Sequence, residues 1–290
     1  MCSTRFRPSA YRDMHCGHAF MTYKNWETAR LTAGDFILIF DDETTNMSRT
    51  DRQGFPIEVA GERWMEDMEW LGMRPDRVAF SREFAGERAE AYTKLGVRLP
   101  VCIGKNTGIE RWIPIPYPHM GGHPWYSPAL VVGRVVDDHC LGVNGFWRGM
   151  DLRCEEQLYD YLGHQLGYPQ VAQGYLPTVG WEPNKKCSQS TQDVRAVTIR
   201  ALRKAGYEPW QIISTLLESE LRSAAAGLSQ VLIPSNCLTL DKVKWLKFVG
   251  DPTYNEAILK EAEGKPWEDT AREWVREQRD GLESWWPLIR

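Results

Sequence analysis

Phe36-Ile37-Leu38-Ile39-Phe40 limits what this chain can fold into more than any other segment: five apolar residues in a row, opened by Gly34-Asp35 and closed by Asp41-Asp42. A strand with one wet face alternates, so an unbroken run of this length reads as a strand buried on both faces. Such strands belong to sheets that helices cover on each side. The surroundings agree. Ala19, Phe20, Tyr23, Trp26 and Ala29 recur at helical spacing between Gly17 and Arg30. Trp64, Met68 and Leu71 repeat at i, i+4 and i+7 before Gly72 and Pro75 end that second helix. Ala129 to Val136, between Pro128 and Asp137-Asp138, reads as another buried strand. This alternation predicts an α/β domain with a mainly parallel sheet, whose ligands bind in loops at the carboxyl ends of the strands.

A length of 290 residues suggests about two domains. Between 76 and 125 Gly, Pro and Arg accumulate, as in VCIGKNTGIERWIPIPYPHMGGHPW, and the stretch reads as an insertion in a first domain spanning 1–190. From 191 to 290 the helical period dominates: Val197, Ile199, Ala201 and Leu202; Trp210, Ile213, Leu216 and Leu217; Trp267, Ala271, Trp274 and Val275. That predicts a small all-helical C-terminal domain. A net charge of −4 argues against indiscriminate binding to nucleic acid, but Arg195, Arg200, Arg203 and Lys204 form either a solvated helix face or a track for a nucleic-acid acceptor. Trp267, Trp274, Trp285 and Trp286 fit helix packing or an interface better than a base-stacking platform. The N-terminus has no apolar h-region, and no window approaches 18 apolar residues, so a cytoplasmic protein with no membrane partner is expected. Seven scattered Cys without a C-x-x-C read as reduced thiols.

His15-Cys16-Gly17-His18 opens the first predicted helix, just after Thr4-Arg5-Phe6-Arg7-Pro8-Ser9. Two imidazoles flanking a glycine at a helix N-terminus suggest an anion cradle. Open backbone N–H groups and the positive dipole end would add to it, and Gly17 would let a nucleotide lie against the backbone.

The order TRFRPS, HCGHA, NWETAR, GDFILIFDDETTN resembles the catalytic domain of class I glutamyl- and glutaminyl-tRNA synthetases, whose first motif reads TRFxPSPTGxLHIGHA. MEWLGMRPD, VVDDHCLGVNGFWRGMDL, LGYP and Leu176-Pro177 continue the likeness, and Asn184-Lys185-Lys186-Cys187-Ser188-Gln189-Ser190 is similar to the KMSKS-type loop. Residues 4–205 are covered in order. The resemblance implies a Rossmann-like domain that uses ATP, with Mg²⁺, to make an aminoacyl-adenylate and then transfers the aminoacyl group. It implies that His15 and His18 donate to the phosphates, that Lys186, Lys185 and Ser188 hold the pyrophosphate, and that Asp151 accepts from the ribose hydroxyls. Arg5, Arg148 and Ser9 fall in the amino-acid pocket, where a guanidinium suits a carboxylate. Asp41 or Asp42 would face the ammonium.

Departures from the family pattern gather in that pocket. Leu130 stands where Tyr is usual, Arg134 where a polar neutral residue is usual, Arg7 replaces a small Ala, and Ile39 replaces a frequent Arg. Gln189 removes one lysine from the KMSKS-like loop. With only residues 191–290 after the catalytic core, no anticodon-binding domain is expected, which makes the chain similar to the truncated glutamyl-queuosine tRNA(Asp) synthetase group. The zinc site common in that group is not expected, since Cys102 stands alone and His119 and His123 flank a Gly-Gly pair. Together these features predict a ligase of the glutamyl-tRNA synthetase type. It would activate glutamate or a relative and pass it to a tRNA, a modified nucleoside or another acceptor. The alternative is a catalytically weakened paralogue that binds nucleotide or RNA in a regulatory role.

Overall fold

In the computed structural model the FILIF run is β2 (Phe36–Phe40), and all five of its side chains are buried. The structure describes residues 1–8, 13–41, 57–96, 128–182, 185–186, 198–228, 230–233, 256, 259–266, 268–273 and 275–276. Parallel partners flank β2: β1 (Thr4–Phe6) places Arg5 opposite Ile37, and β3 (Arg77–Phe80) places Val78 opposite Leu38. β4 (Gly145–Gly149) lies beside β1, held by the Asn144 and Gly145 N–H groups donating to the Ser3 carbonyl, and pairs in parallel with β5 (Ala172–Leu176). The lateral order is therefore β3-β2-β1-β4-β5, the order of a Rossmann-like sheet, and it reverses between β1 and β4. A ligand crevice belongs at the carboxyl ends of those two strands.

Successive side chains of β2 feed two different cores, as a period of two requires. Phe36, Leu38 and Phe40 pack with Ala19 and Phe20 of α1 (Cys16–Leu31) and with Trp64 and Met68 of α2 (Ile57–Trp70). Ile37 and Ile39 join Val131, Val132, Val135 and Val136 of α4 (Pro128–Cys140) and Leu158, Leu162 and Leu166 of α5 (Glu156–Leu166). Truncating any of the five fully buried β2 residues to Ala removes about 2–5 kcal/mol of stability.

α4 (Pro128–Cys140) corrects the strand expected over Ala129 to Val136. Its valines suggested β structure, but 131, 132, 135 and 136 are buried at i, i+1, i+4 and i+5, which is one helical face. Pro128 suits a first helical position, where its missing N–H costs nothing. The insertion expected from 76 also begins too early. Arg77–Phe80 is a strand of the main sheet, followed by a 3₁₀ turn (Ser81–Phe84) and α3 (Ala85–Lys94). The Gly- and Pro-rich part of that stretch, from 97 to 125, lies outside the described residues.

After β5, β6 (Thr178–Glu182) pairs antiparallel with the two-residue β7 (Lys185–Lys186) and in parallel with β8 (Gln230–Leu232). β8 thus places a strand within the stretch expected to be wholly helical. Its valine pairs with Val179, and the Leu232 N–H is held by Ser223 Oγ of α7 (Pro209–Ala225). Ile199 and Leu202 of α6 (Ile199–Lys204), with Ile212 and Leu216 of α7, share one apolar cluster with Phe6, Met14 and Phe20. No helix among the described residues is long and apolar enough to cross a membrane.

Candidate active site

His15 is the N-cap of α1, a position that usually goes to Ser, Thr, Asp or Asn. Its Nδ1 accepts from the Gly17 and His18 N–H groups at 3.1 and 3.3 Å, and His18 Nδ1 accepts from the His15 N–H at 3.5 Å. This is a capping box built from two imidazoles, whose rings stack with centroids 3.6 Å apart and planes 20° apart. An imidazole nitrogen that accepts from an N–H carries no proton, so in both rings the proton sits on Nε2, the donor nitrogen. Two donors therefore stand side by side at the mouth of the helix. The backbone N–H groups of Gly17 and His18, expected to face a phosphate, are already satisfied by His15. The expected cradle is thus corrected to one whose donors are side-chain nitrogens. Gly17 serves that arrangement too: a β-carbon there would lie 3.0 Å from His15 Cε1. His18 packs on Trp64, with ring centroids 5.0 Å apart.

The arginines expected in the amino-acid pocket do come together at the ends of β1 and β4, but each is engaged by a protein carboxylate. Arg5 donates through Nε and Nη2 to Asp138 at 3.0 Å each and lies 3.8 Å over the Phe146 ring. Asp138 also accepts from the Tyr159 hydroxyl at 2.8 Å. Burial first, and the adjacent Asp138 next, push that phenol well above its usual range, so it stays a donor. Arg7 donates to Asp137 and to Ser81 Oγ, both at 2.7 Å, with its Nε 3.6 Å from Asp41 Oδ2. Burial works against the Arg7 charge, but Asp41, Asp137 and Asp138 outweigh it and raise its pKa further. Arg88 of α3 bonds both oxygens of Asp137. Arg148 donates to Glu155 at 3.0 Å, to Gln173 at 2.8 Å and to the Tyr175 hydroxyl at 3.0 Å, while Arg134 reaches the same Glu155 oxygen at 2.7 Å. Five arginines thus face four carboxylates: Asp41, Asp137, Asp138 and Glu155.

Asp151 stands exposed in the 3₁₀ turn Met150–Glu155, directly after β4. Lys185 and Lys186 are placed by the β6–β7 hairpin, where Lys186 pairs with Gly180. Ser9, Asp42, Ser188, Gln189, Cys102, His119 and His123 lie outside the described residues, as does the side chain of Leu130. Arg200, read as part of a basic face, is instead buried among carboxylates.

Residues 1–99 match the family model described as tRNA synthetases class I (E and Q), catalytic domain. Glutamate–tRNA ligase of Pyrococcus abyssi is 26% identical across 91% of this chain, and that of Sulfolobus acidocaldarius is 25% identical across 86%. The chain spans little more than half the length of those relatives, 57% and 56%. A glutamate tRNA ligase from Elizabethkingia meningosepticum, crystallised with its amino acid, superposes with a TM-score of 0.54 at 16% identity over 90% of this chain and 72% of that one. The glutamate-tRNA synthetase of Elizabethkingia anophelis gives 0.54 at 14% identity over 74% and 61%. These likenesses show the Rossmann-like class I synthetase fold.

Within this fold, sequence reasoning missed the carboxylates that hold the arginines. Asp137 and Asp138 lie in the last turn of α4, where the helix dipole disfavours negative charge, so a pair there calls for cationic partners. Reading the segment as a strand hid that signal. Glu155 is buried because the 3₁₀ turn folds it back under Arg148, and nothing in its sequence neighbourhood announces this.

Proposed function

We propose that this chain uses ATP to convert an amino acid, glutamate or a relative, into an aminoacyl-adenylate and passes the aminoacyl group to a tRNA, a modified nucleoside or another acceptor. The observation that carries this reading is the stacked His15–His18 pair, whose Nδ1 atoms accept backbone N–H groups and so leave Nε2 as the donor nitrogen. When a carboxylate attacks the α-phosphorus in line, negative charge builds on the phosphate oxygens and on the departing pyrophosphate. Donors already held in place stabilise that charge without reorganising. Asp151 would take the ribose hydroxyls, and Lys185 and Lys186, with Ser188, the pyrophosphate. Asp41 or Asp42 would take the substrate ammonium, and Arg5 and Arg148 its carboxylate side of the pocket. Mg²⁺ would arrive on the triphosphate. Among the described residues no group of three or more His, Cys, Asp or Glu could hold a metal, and no step is assigned to the ion.

One observation favours a second reading, a weakened paralogue that binds nucleotide or RNA: Arg5, Arg7 and Arg148 are already neutralised by internal carboxylates. ATP–pyrophosphate exchange decides between them, run with each of the twenty amino acids, with and without bulk tRNA, beside His15→Ala and Lys186→Ala controls. Exchange with one amino acid that disappears in both controls supports activation. Nucleotide binding with no exchange under any condition supports the paralogue.

A further inference from the structure

A second cluster of charges adjoins the segment that leads into His15. Asp13 holds Arg63 of α2 with both carboxylate oxygens, at 2.8 and 2.9 Å. The remaining Arg63 nitrogen, Nη1, donates at 2.6 Å to Glu261, in the helical residues 259–262 near the far end of the chain. Glu261 also accepts from Arg200 and, at 3.3 Å, from Lys204, both of α6. Arg200 donates in turn to Glu66 at 3.0 Å and to the Arg63 carbonyl at 2.9 Å, and Lys265 reaches Glu66 at 2.6 Å. The backbone repeats the same link. The Ile199 N–H donates to the Met14 carbonyl at 2.8 Å, and His15 bridges Thr198.

Stability alone does not explain such a cluster. A buried ion network gains little over an apolar packing of the same volume, whereas a bidentate guanidinium–carboxylate pair fixes direction. Burial opposes the charges on Asp13 and Glu261, yet Arg63, Arg200 and Lys204 together outweigh it and hold both carboxyls below their usual range, so both stay ionised. What the network fixes is the two-residue approach to the cap of α1.

We infer that Arg63 and Glu261 are positioning residues for the His15–His18 pair: they hold Asp13, and through Asp13-Met14 they set the orientation of the two imidazoles. The helical segment near residue 261 is then a working part of the ATP site although it touches no substrate. This rests on the reading that the histidines handle phosphate charge.

The test uses the full chain with Glu261→Gln and Arg63→Lys, and with Arg272→Ala, which among the described residues breaks a pair with Glu268 outside the cluster, as control. Two readouts are needed: kcat and KM in ATP–pyrophosphate exchange, and the imidazole ¹⁵N signals of His15 and His18. The expected result for both variants is a kcat lowered about tenfold or more with the amino-acid KM unchanged, and ¹⁵N shifts moved from a fixed Nε2–H tautomer toward the averaged value. Exchange within twofold of the parent, with unchanged imidazole signals in folded variants, overturns the inference. If the parent shows no exchange, the catalytic reading fails and the imidazole signals alone decide the positioning. If Arg63→Lys does not fold, Glu261→Gln, which keeps shape and a hydrogen-bonding group, decides it.

Discussion

The Asp151 carboxylate occupies the space that a β-carbon on residue 149 would need, so Gly149 is what lets the turn after β4 fold its acidic side chain back. Gly149 itself has φ −63° and ψ 144°, a conformation any residue adopts. Gly149→Ala therefore leaves the backbone unstrained and displaces only Asp151. The expected outcome is an ATP affinity lowered about tenfold, measured calorimetrically, a loss of about 1.4 kcal/mol of binding. The melting temperature should change little.

The double duty of His15 can be separated by substitution. His15→Ala removes both the cap and the Nε2 donor, and should lower stability by about 1 kcal/mol along with activity. His15→Asn restores a capping oxygen but no donor at the ring's far side. It should recover the stability measured in urea while exchange stays about a hundredfold or more below the parent. Recovery of exchange by Asn would show that only the cap matters.

Arg5 and Asp138 form a buried pair separated by 133 positions in sequence, so each is exposed to the loss of the other. Asp138→Ala strands the Arg5 guanidinium and should cost about 3–5 kcal/mol in chemical denaturation. Replacing both, as Arg5→Met with Asp138→Leu, should cost clearly less than the sum of the two single changes.

Asp67 supplies a pH dependence. It is fully buried, with no hydrogen-bond partner for either carboxylate oxygen among the described residues. Burial, with Asp13 and Glu261 adding to it and Arg200 and Arg63 opposing, pushes its carboxyl up to about 7. A carboxyl raised on folding binds its proton more tightly in the native state. The stability it contributes is therefore full below about 4 and is lost as pH rises through about 7, a change of up to about 4 kcal/mol. Asp67→Asn should flatten the melting temperature between pH 5 and 8 and should exceed the parent at pH 8. Asp13, Glu66 and Glu261 have lowered pKa values, so their contribution is present above the ordinary carboxyl range and disappears below about pH 4.

Much of the fold was legible because its signals are local. FILIF announced a doubly covered strand, and the period of α1 and α2 survived into the structure with their ends close to where Gly72 and the Gly34 turn suggested. α4 was misread because valine favours strands and only packing, not propensity, settles a short apolar run. β3 was hidden by its brevity and by the exposure of Arg77 and Val78. At the site, the positions of His15, His18, Arg5 and Arg148 followed from motif spacing. The carboxylates that hold Arg5 and Arg7 did not, because those pairs span 133 and 130 residues of chain and leave no periodic trace. Glu261, far past the last motif, was invisible for the same reason.

Because the two imidazoles cap α1 as well as standing where phosphate charge would build, selection for a foldable chain preserves them even in a lineage that has stopped turning over substrate. Their presence in a distant homologue reports on architecture first. Inference of activity across such homologues is better weighted toward groups that fill no cap or core position, such as the exposed Asp151 carboxylate.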